Sequence, residues 1–474
     1  MQKEHHMAKG HEPQEEVVQF YASSKRIHPK LAKGRFSNWR ILAVIATQLV
    51  FFVLPWLQWN GRQAVLFDIA AQKFYIFGIT LLASELIFLT GIMLVSAFGL
   101  FWWTTIAGRL WCGYACPQTV YTEIMLWFDH FFEGDRNKRM KLDKEGWTAH
   151  KIRVKAIKYL VILLFCFWTG FTFAGWFTPI RPQWLDLFAF GLSTTQWITI
   201  AFYGFATWFM AHIMREQVCF YMCPYARFQS AMFDKDTLLV SYDAERGEPR
   251  GARKKNQENA NLGDCINCTL CVQVCPTGID IRDGLQYQCI GCGACIDACD
   301  EVMDKIGSPR GLVRYTTEAV LQHEYTDADF KKRLARPRVV GYGLILFLVA
   351  CGLVYGIFSR DLMNIDIIKD RGMMVRQNNE GLLENTYNLR LSNASEQTLY
   401  LQADVSGFDH IELTGLPKTL EIPAGDIVNI PVQVATYPEY ATKGSHPIEF
   451  QFKYHTEENQ EWRSINENSN FIGE

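Results

Sequence analysis

Eight of the 14 cysteines of this chain fall in two short runs whose spacing suits metal chemistry. The runs are "CINCTLCVQVCP" and "CIGCGACIDACD", and each has the pattern C-x2-C-x2-C-x3-C. Such tight spacing lets one loop surround a cubic iron-sulfur cluster, whereas zinc bound by four cysteines favours paired C-x2-C knuckles with longer spacers. Gly291 and Gly293 would let the backbone approach the cluster closely. The pattern therefore predicts two [4Fe-4S] clusters rather than zinc.

The spacing also resembles that of bacterial ferredoxins, in which the fourth cysteine of each run binds the other cluster. One departure is Asp300, where the second run would usually have a proline; this residue is not a ligand. The resemblance implies one cluster bound by Cys265, Cys268, Cys271 and Cys299, and a second bound by Cys289, Cys292, Cys295 and Cys275.

Two further cysteine pairs, in "WCGYACP" and "VCFYMCP", share the pattern C-x3-C-P. A residue before proline is pushed out of the helical region, and proline favours the first position of a helix. Cys116 and Cys223 are therefore expected to cap helices that begin at Pro117 and Pro224, where the helix dipole favours thiolate over thiol. Such thiolates could bind a soft ion such as Cu(I), ligate a further cluster or cycle as dithiols; the alternative is small buried cysteines at a helix break. The candidate redox and copper site comprises Cys112, Cys116, Cys219 and Cys223.

Five apolar stretches each reach the roughly 20 residues that cross a bilayer core. Of the 474 residues 49% are hydrophobic, yet the mean hydropathy is only -0.03, so the apolar residues are concentrated. Trp or Tyr lies near most ends of these stretches, as expected of interfacial anchors. The stretches are 38–59, 75–103, 159–177, 192–214 and 339–358.

Lysine and arginine are distributed unevenly between the spans, and this predicts the orientation. Six lie between positions 25 and 40 and nine between positions 136 and 158, whereas the loops at 60–74 and 178–191 hold three in total. The excess predicts a cytoplasmic N-terminus, and five crossings leave the C-terminal region outside. Twelve of the 14 cysteines then lie at or near the cytoplasmic face, where thiols stay reduced. With a formal net charge of -2, no nucleic-acid partner is expected.

Composition divides the chain into five segments of a multi-domain membrane protein. We expect an α-helical transmembrane bundle, an inserted two-cluster ferredoxin-like α+β domain and a C-terminal all-β sandwich. Strand-like alternation with frequent turn residues favours the sandwich. A weak internal repeat, in which each pair of spans is followed by a cysteine pair, would bring both pairs to one membrane face. The segments are 1–37 (cytoplasmic), 38–235 (four spans and both C-x3-C-P motifs), 236–337 (cytoplasmic ferredoxin domain), 338–358 (fifth span) and 359–474 (outer domain).

Other histidine, methionine and cysteine residues could bind metal, but we interpret them as structural. A lone histidine near a membrane surface, a methionine at helical spacing and a cysteine within a span are more often packing residues than ligands. The chain has no glycine-rich nucleotide loop after a predicted strand, so no flavin or nicotinamide domain is expected. The residues are His130, His212, Met214, Met222, Met373, Met374, Cys166 and Cys351.

The chain resembles the FixG/CcoG family of cytochrome c oxidase accessory proteins over essentially its whole length. The features that carry the resemblance are, in this order, the spans with their paired C-x3-C-P motifs, the two-cluster insert, the fifth span and the outer β-domain. The motif pairs are also similar to those of membrane ferredoxin-type subunits of nitrate and nitrous-oxide respiration, which the outer domain distinguishes from this chain. The resemblance implies that the protein reduces Cu(II) to Cu(I) for the copper site of a cbb-type oxidase. It also implies an immunoglobulin-like outer domain, periplasmic in a bacterial inner-membrane protein.

Two alternatives stay open at this point. As an electron-transfer subunit, the protein would feed a respiratory reductase. As a non-redox assembly scaffold, it would hold Cu(I) through the four C-x3-C-P cysteines while the clusters served only structure. The expected partners are the lipid bilayer, the oxidase or its copper-assembly factors, and an electron donor, either cytoplasmic or a quinol, that the sequence does not identify.

Overall fold

The computed structural model describes residues 27–82, 85–252, 262–326, 334–361, 363–369, 375–378, 380–457 and 461–473. Most of the predicted N-terminal segment, and the interpretation of Met373 and Met374, lie outside the described residues. The described chain forms a helical region, a cysteine-rich insert and a β-sandwich.

Five helices of the described chain are long and apolar enough to cross a membrane, in agreement with the number of predicted spans. They are Arg35–Trp56, Leu86–Ala107, Ala149–Ala174, Thr194–Met214 and Pro337–Ser359. The elements before the insert are α1 (Arg35–Val53), a 3₁₀ turn (Leu54–Trp56), β1 (Gln58–Trp59), β2 (Arg62–Gln63), β3 (Val65–Asp68), β4 (Lys73–Ile76), β5 (Ile79–Leu82), α2 (Leu86–Ala107), α3 (Leu110–Tyr114), α4 (Pro117–Glu133), α5 (Arg136–Lys144), α6 (Ala149–Ala174), α7 (Ile180–Ala189), α8 (Thr194–Trp208), two π-helical turns (Phe209–Met214 and Val218–Met222), α9 (Pro224–Phe228) and a 3₁₀ turn (Gln229–Met232).

The predicted start of the second span at residue 75 is wrong. Residues 73–82 form the antiparallel strands β4 and β5, joined at Phe77 and Gly78, and β3 pairs with β4 to complete a small sheet. Phe77 has a φ of +52°, which a tight turn requires and a helix excludes. Residues 73–82 therefore belong to a hairpin that precedes α2.

The predicted start of the third span at residue 159 is also too late. Thr148 caps α6 by accepting a hydrogen bond from the Lys151 amide at 3.2 Å, so the helix begins at Ala149. Its first turns carry basic residues, and the side chain of Lys158 is fully buried. Lys158 pairs with Asp129 at 3.1 Å and Glu133 at 2.5 Å, both on α4. The basic residues thus join two helices as well as marking a membrane face.

Glycine residues let the apolar helices approach one another closely. A Cβ atom on Gly204 of α8 would lie 2.9 Å from the Cys166 carbonyl oxygen of α6. Cys166 is 3% exposed and packs among apolar side chains. Such small-residue contacts are typical of helices that associate in a membrane.

The insert is built on a two-stranded antiparallel ribbon whose strands flank the cysteine runs. The Asp297 carboxylate, between two cysteines of the second run, accepts hydrogen bonds from the Phe36 and Ser37 amides at 3.1 and 2.7 Å. The first apolar helix therefore begins on the surface of the insert. The elements are β6 (Leu239–Tyr242), α10 (Ala244–Gly247), α11 (Leu270–Gln273), a 3₁₀ turn (Ile281–Asp283), α12 (Ala294–Ile306), β7 (Val313–Thr316) and α13 (Glu318–Leu321), followed by α14 (Pro337–Ser359).

The C-terminal region is a sandwich of two antiparallel sheets, with strand orders β12-β14-β10-β8 and β13-β11-β15-β16 and with β9 paired to β10. Its core includes the fully buried Tyr387, Phe450 and Phe452. Ion pairs from Arg62 to Glu396 at 2.6 Å and from Lys73 to Asp426 at 2.7 Å join it to the β-hairpins before α2. The strands are β8 (Met363–Lys369), β9 (Arg376–Gln377), β10 (Leu383–Asn393), β11 (Leu399–Ser406), β12 (Ile411–Thr414), β13 (Leu420–Ile422), β14 (Ile427–Thr436), β15 (Gly444–Thr456) and β16 (Arg463–Gly473).

Candidate functional site

Four cysteines line a first cavity between α11 and α12. The loop before α11 wraps around it, with Asn267 at φ +56° and Thr269 at φ +58°. Arg282 also lines the cavity and lowers the pKa of the Cys271 thiol, but burial outweighs it and raises that pKa to about 11. Cys268 is exposed, so this cavity lies near the protein surface. The four cysteines are Cys265, Cys268, Cys271 and Cys299.

A second cavity is lined by the other four cysteines of the two runs. Cys271 lines both cavities, which are therefore neighbours. Gly291 and Gly293 have φ values of +64° and +73°, the left-handed conformation that suits glycine. Cys292 is only 7% exposed. The four cysteines are Cys275, Cys289, Cys292 and Cys295.

The arrangement of these thiols fits clusters better than single metal ions. In the part of the chain that the structure describes, no three His, Cys, Asp or Glu side chains converge as one metal ion requires. A zinc ion would draw four thiolates to about 2.3 Å from a single point, whereas each iron of a [4Fe-4S] cluster takes one cysteine, so the thiols lie further apart. The donor set thus fits two clusters, and the zinc alternative is disfavoured.

The two C-x3-C-P motifs form the same local structure at the insert end of the helices. Cys116 and Cys223 occupy the N-cap positions of α4 and α9 in extended conformation, and Pro117 and Pro224 begin those helices. The predicted caps are confirmed. Cys112 lies in α3, one turn earlier, and the corresponding Cys219 lies in a π-helical turn.

The four cysteines of these motifs are near neighbours, and we call them the membrane cysteine site (Cys112, Cys116, Cys219 and Cys223). Burial, together with the neighbouring thiols, raises the pKa of Cys112 to about 11 and that of Cys219 to about 12. Burial also raises the pKa of Cys116, although the Gln118 and Thr119 amides favour its thiolate. Burial therefore opposes the preference for thiolate that the helix N-terminus was expected to give Cys116. A metal that binds these thiols would displace their protons.

The membrane cysteine site lies directly against the second cavity. A Cβ atom on Gly113 would be 2.9 Å from the Cys292 Cα, the Gly291 oxygen and the Ile290 oxygen, so the two backbones are in contact. Cys112 packs in the same apolar cluster as Cys292. Arg109 donates to the Cys289 oxygen at 3.2 Å and thereby joins the two sites.

Comparison with known proteins decides the family. Nitrogen fixation protein FixG of Rhizobium meliloti is 36% identical to this chain over 420 residues, which cover 82% of this chain and 80% of FixG. This chain belongs to the FixG family. Protein RdxA of Cereibacter sphaeroides is 37% identical over 422 residues, covering 87% of each chain. The crystal structure of a FixG-related protein from Vibrio parahaemolyticus covers 24% of this chain and 98% of its own, at 24% identity and a TM-score of 0.21.

Three family descriptions match successive parts of the FixG-family chain. Residues 89–139 match a 4Fe-4S binding domain, residues 214–318 a 4Fe-4S dicluster domain, and residues 353–474 the IG-like fold at the C-terminus of FixG. The protein is thus an iron-sulfur electron-transfer protein of the FixG family with several apolar helices and an immunoglobulin-like C-terminal domain.

Sequence reasoning missed the residues that join the two sites. Arg109 lies just before the first C-x3-C-P motif, and Gln229, which donates to the Cys112 sulfur at 3.3 Å, lies just after the second. Their roles depend on contacts between distant parts of the chain.

His130 pairs with Asp135 at 3.5 Å, and the ring centroid of the buried His212 lies 5.5 Å from that of Tyr159. Both contacts suit structural roles.

Proposed function

We propose that this FixG-family protein reduces Cu(II) to Cu(I) for assembly of the copper site of a cbb-type cytochrome c oxidase. The observation that carries the proposal is the backbone contact between Gly113, beside Cys112, and the cysteine loop of the second cavity. Copper at the membrane cysteine site would be next to a source of single electrons. Thiolates are soft ligands that favour Cu(I), so the residues that receive copper would also stabilise the product.

The two cavities would hold the clusters with the ligand sets implied by the ferredoxin spacing. When bound, [4Fe-4S] clusters give and accept single electrons. The chain itself supplies the insulation and the contacts: Cys292 is only 7% exposed, and Arg109 bridges the Cys289 oxygen and the Ala226 oxygen at 3.2 and 2.6 Å. Arg109 thereby ties the loop of the second cavity to the chain that follows Pro224 of the membrane cysteine site.

Copper would be bound by a pair of thiolates at a time. Each C-x3-C-P motif supplies two cysteines, and thiolates are ligands that select Cu(I). Because burial keeps the thiols of Cys112 and Cys219 protonated at neutral pH, copper binding would release protons.

We further propose that the N-terminus, the insert and the membrane cysteine site are cytoplasmic, and that the β-sandwich is periplasmic in a bacterial inner membrane. The excess of lysine and arginine between positions 25 and 40 and between positions 136 and 158 supports this orientation. The oxidase or its copper-assembly factors would be the partners.

Transfer of electrons to a respiratory reductase is the second candidate function. It is favoured by the exposure of Cys268, which would let a soluble partner approach the first cavity. Ferredoxin-type protein NapH of Haemophilus influenzae is 20% identical over 291 residues, 58% of this chain. This candidate predicts co-purification with a reductase and no reduction of free Cu(II).

The test is a copper-reduction assay on the purified full-length protein. Anaerobic purification should yield about eight iron and eight sulfide per chain, four for each cluster. The protein is reduced with dithionite and desalted, and Cu(II) is then added with a Cu(I)-specific chelator. Reduction by dithionite bleaches the visible absorbance of the clusters, and this absorbance should return as Cu(I) forms. If the cluster absorbance is lost for good and no Cu(I) appears, the proposal is refuted.

A matched cysteine variant tests the copper site. Cys112→Ser with Cys223→Ser should abolish Cu(I) formation while the iron content stays unchanged. Cys351→Ser, at an exposed position of α14, is the control and should behave as the parent. Unchanged copper reduction in the double variant would remove the membrane cysteine site from the mechanism.

A further inference from the structure

A wide cleft of about 1300 Å³ opens between α1 and α2 at the insert end of the helices. On each helix it extends 11 residues from the insert end, to Ala46 on α1 and Ser96 on α2, about 16 Å at 1.5 Å per residue. Its floor is made by α3 and the β6-β7 ribbon, through Tyr114 and Tyr315. We call it the aromatic cleft.

The aromatic cleft has the shape and surface of a site for a flat apolar ring. The indoles of Trp39, Trp103 and Trp111 line it, and the small side chains of Ala43 and Ala97 leave the space between them. Trp39 and Trp103 are 55% and 42% exposed, so the cleft opens sideways between the two apolar helices. An apolar molecule dissolved in the bilayer could enter by that route.

Polar groups are few and gather at the insert end of the cleft. Of the described residues that line it, Arg35 alone is charged. The Tyr114 and Tyr315 hydroxyls are 3.5 Å apart, at the long limit of a hydrogen bond, and Tyr315 donates to the Gly291 oxygen at 2.6 Å. Because the Tyr315 proton goes to Gly291, Tyr114 is the donor in its long contact with Tyr315, and it can turn that proton instead to a carbonyl that enters the cleft. A phospholipid headgroup would favour a cluster of cations instead.

The cleft wall is in direct contact with the iron-sulfur part of the protein. Tyr315 joins it to Gly291, which lies between Cys289 and Cys292 of the second cavity. Trp111 is adjacent in sequence to Cys112 of the membrane cysteine site. A redox-active molecule in the cleft would thus be next to both.

We propose that the aromatic cleft binds an isoprenoid quinol and that this quinol is the electron donor. The ring would lie among the indoles, one ring oxygen would hydrogen-bond to Tyr114, and the isoprenoid tail would leave between α1 and α2. The proposal rests on the proposed copper reduction for its electron acceptor, whereas the binding site does not depend on it.

The overall step is balanced by Cu(II). One quinol is oxidised to the quinone, both of its O–H bonds break, and two protons leave at the insert end, beside Arg35 and Tyr114. The two electrons reduce two Cu(II) ions to two Cu(I) ions, one at a time. The expected stoichiometry is therefore two Cu(I) per quinol consumed.

Binding is tested without copper and without turnover. Decylubiquinone is titrated into the full-length protein in detergent while tryptophan fluorescence is followed. Saturable quenching is expected, and Ala97→Phe, which fills the cleft, should raise the Kd by more than about tenfold. Leu94→Phe, on the exposed face of α2, is the matched control and should not change the Kd. Equal binding by the parent and Ala97→Phe, or a tightly bound phospholipid that decylubiquinone fails to displace, would overturn the proposal.

Two further variants guard against misfolding and test the polar contact. Ala43→Phe fills the cleft from α1 and should weaken binding as Ala97→Phe does. Tyr114→Phe keeps the ring but removes one hydrogen bond, and should raise the Kd about threefold to tenfold. An unchanged Kd in Tyr114→Phe would contradict the assigned ring orientation.

A second assay distinguishes failure of the cleft from failure of copper reduction. Decylubiquinol and dithionite are compared as electron sources, with Cu(II) and the Cu(I) chelator present. Ala97→Phe should lose quinol-driven but keep dithionite-driven copper reduction. If dithionite-reduced parent protein forms no Cu(I) while decylubiquinone still binds in the cleft, copper reduction is wrong and the quinone site stands. If dithionite drives copper reduction and decylubiquinol does not, the quinol donor is wrong.

Discussion

Replacement of Gly113 by valine would test whether the membrane cysteine site must contact the second cavity. An added Cβ atom would lie 2.9 Å from three backbone atoms of the facing loop, belonging to Ile290, Gly291 and Cys292. Ordinary van der Waals contacts of a Cβ atom begin at 3.4 Å, so the two backbones must separate by at least 0.5 Å, the difference between 3.4 and 2.9 Å. Backbone atoms cannot turn aside as a flexible side chain can.

Such overpacking costs about 1–3 kcal/mol, and valine regains only a few tenths of that over glycine in helix propensity. We therefore expect Gly113→Val to lower the free energy of unfolding of the insert by about 1–3 kcal/mol. The junction would loosen, so a chelator should remove iron faster and Cu(I) formation should slow.

The assay follows iron release and thermal loss of the cluster absorbance in the same preparation. The matched control is Gly352→Val on α14, where an added Cβ meets nothing within 4 Å. If Gly113→Val releases iron and forms Cu(I) at the same rates as Gly352→Val, the inferred contact does not hold the two sites together.

Two further substitutions address the helices that carry the site. Lys158→Met would leave Lys155 as the cation beside the buried carboxylate of Glu133. We expect this substitution to lower the free energy of unfolding, measured with denaturant, by about 3 kcal/mol. Lys155→Met, at the more exposed position, should lower it by about 1 kcal/mol or less. Arg109→Gln removes the charge-assisted hydrogen bond to the Cys289 oxygen, worth about 1.5–3 kcal/mol, and should make iron release faster. Arg109→Lys keeps the positive charge and should release iron at a rate between those of the parent and Arg109→Gln. Equal rates of iron release in the parent and both variants would mean that Arg109 has no role at the junction.

Local rules in the sequence predicted much of the site. The restriction on the residue before a proline correctly placed Cys116 and Cys223 at helix N-caps, because it acts between adjacent residues. The spacing of the two cysteine runs likewise placed Gly291 and Gly293 in the loop beside the second cavity, where both adopt the left-handed conformation. Features that act over a few residues can be derived without the fold.

Long-range features could not be derived in this way. The contact between Gly113 and Cys292 joins residues far apart in sequence, and no periodicity encodes it. The start of the second span was misplaced because β5 is apolar and lies close before α2 in the sequence, so composition alone does not reveal the hairpin turn at Phe77 between β4 and β5. The raised pKa of the Cys112 thiol likewise results from burial, which depends on the fold rather than on neighbouring residues.

The paired cavities have a consequence for the proposed donor and acceptor. A quinol releases two electrons, whereas each Cu(II) accepts one, so the protein must keep the second electron until another Cu(II) arrives. The two cavities share Cys271 as a lining residue, and the second touches the membrane cysteine site through Gly113 and Arg109. One single-electron centre would therefore face copper while the other, nearer the surface at Cys268, stores the remaining electron. Two clusters in series thus suit a two-electron donor and a one-electron acceptor better than a single cluster would.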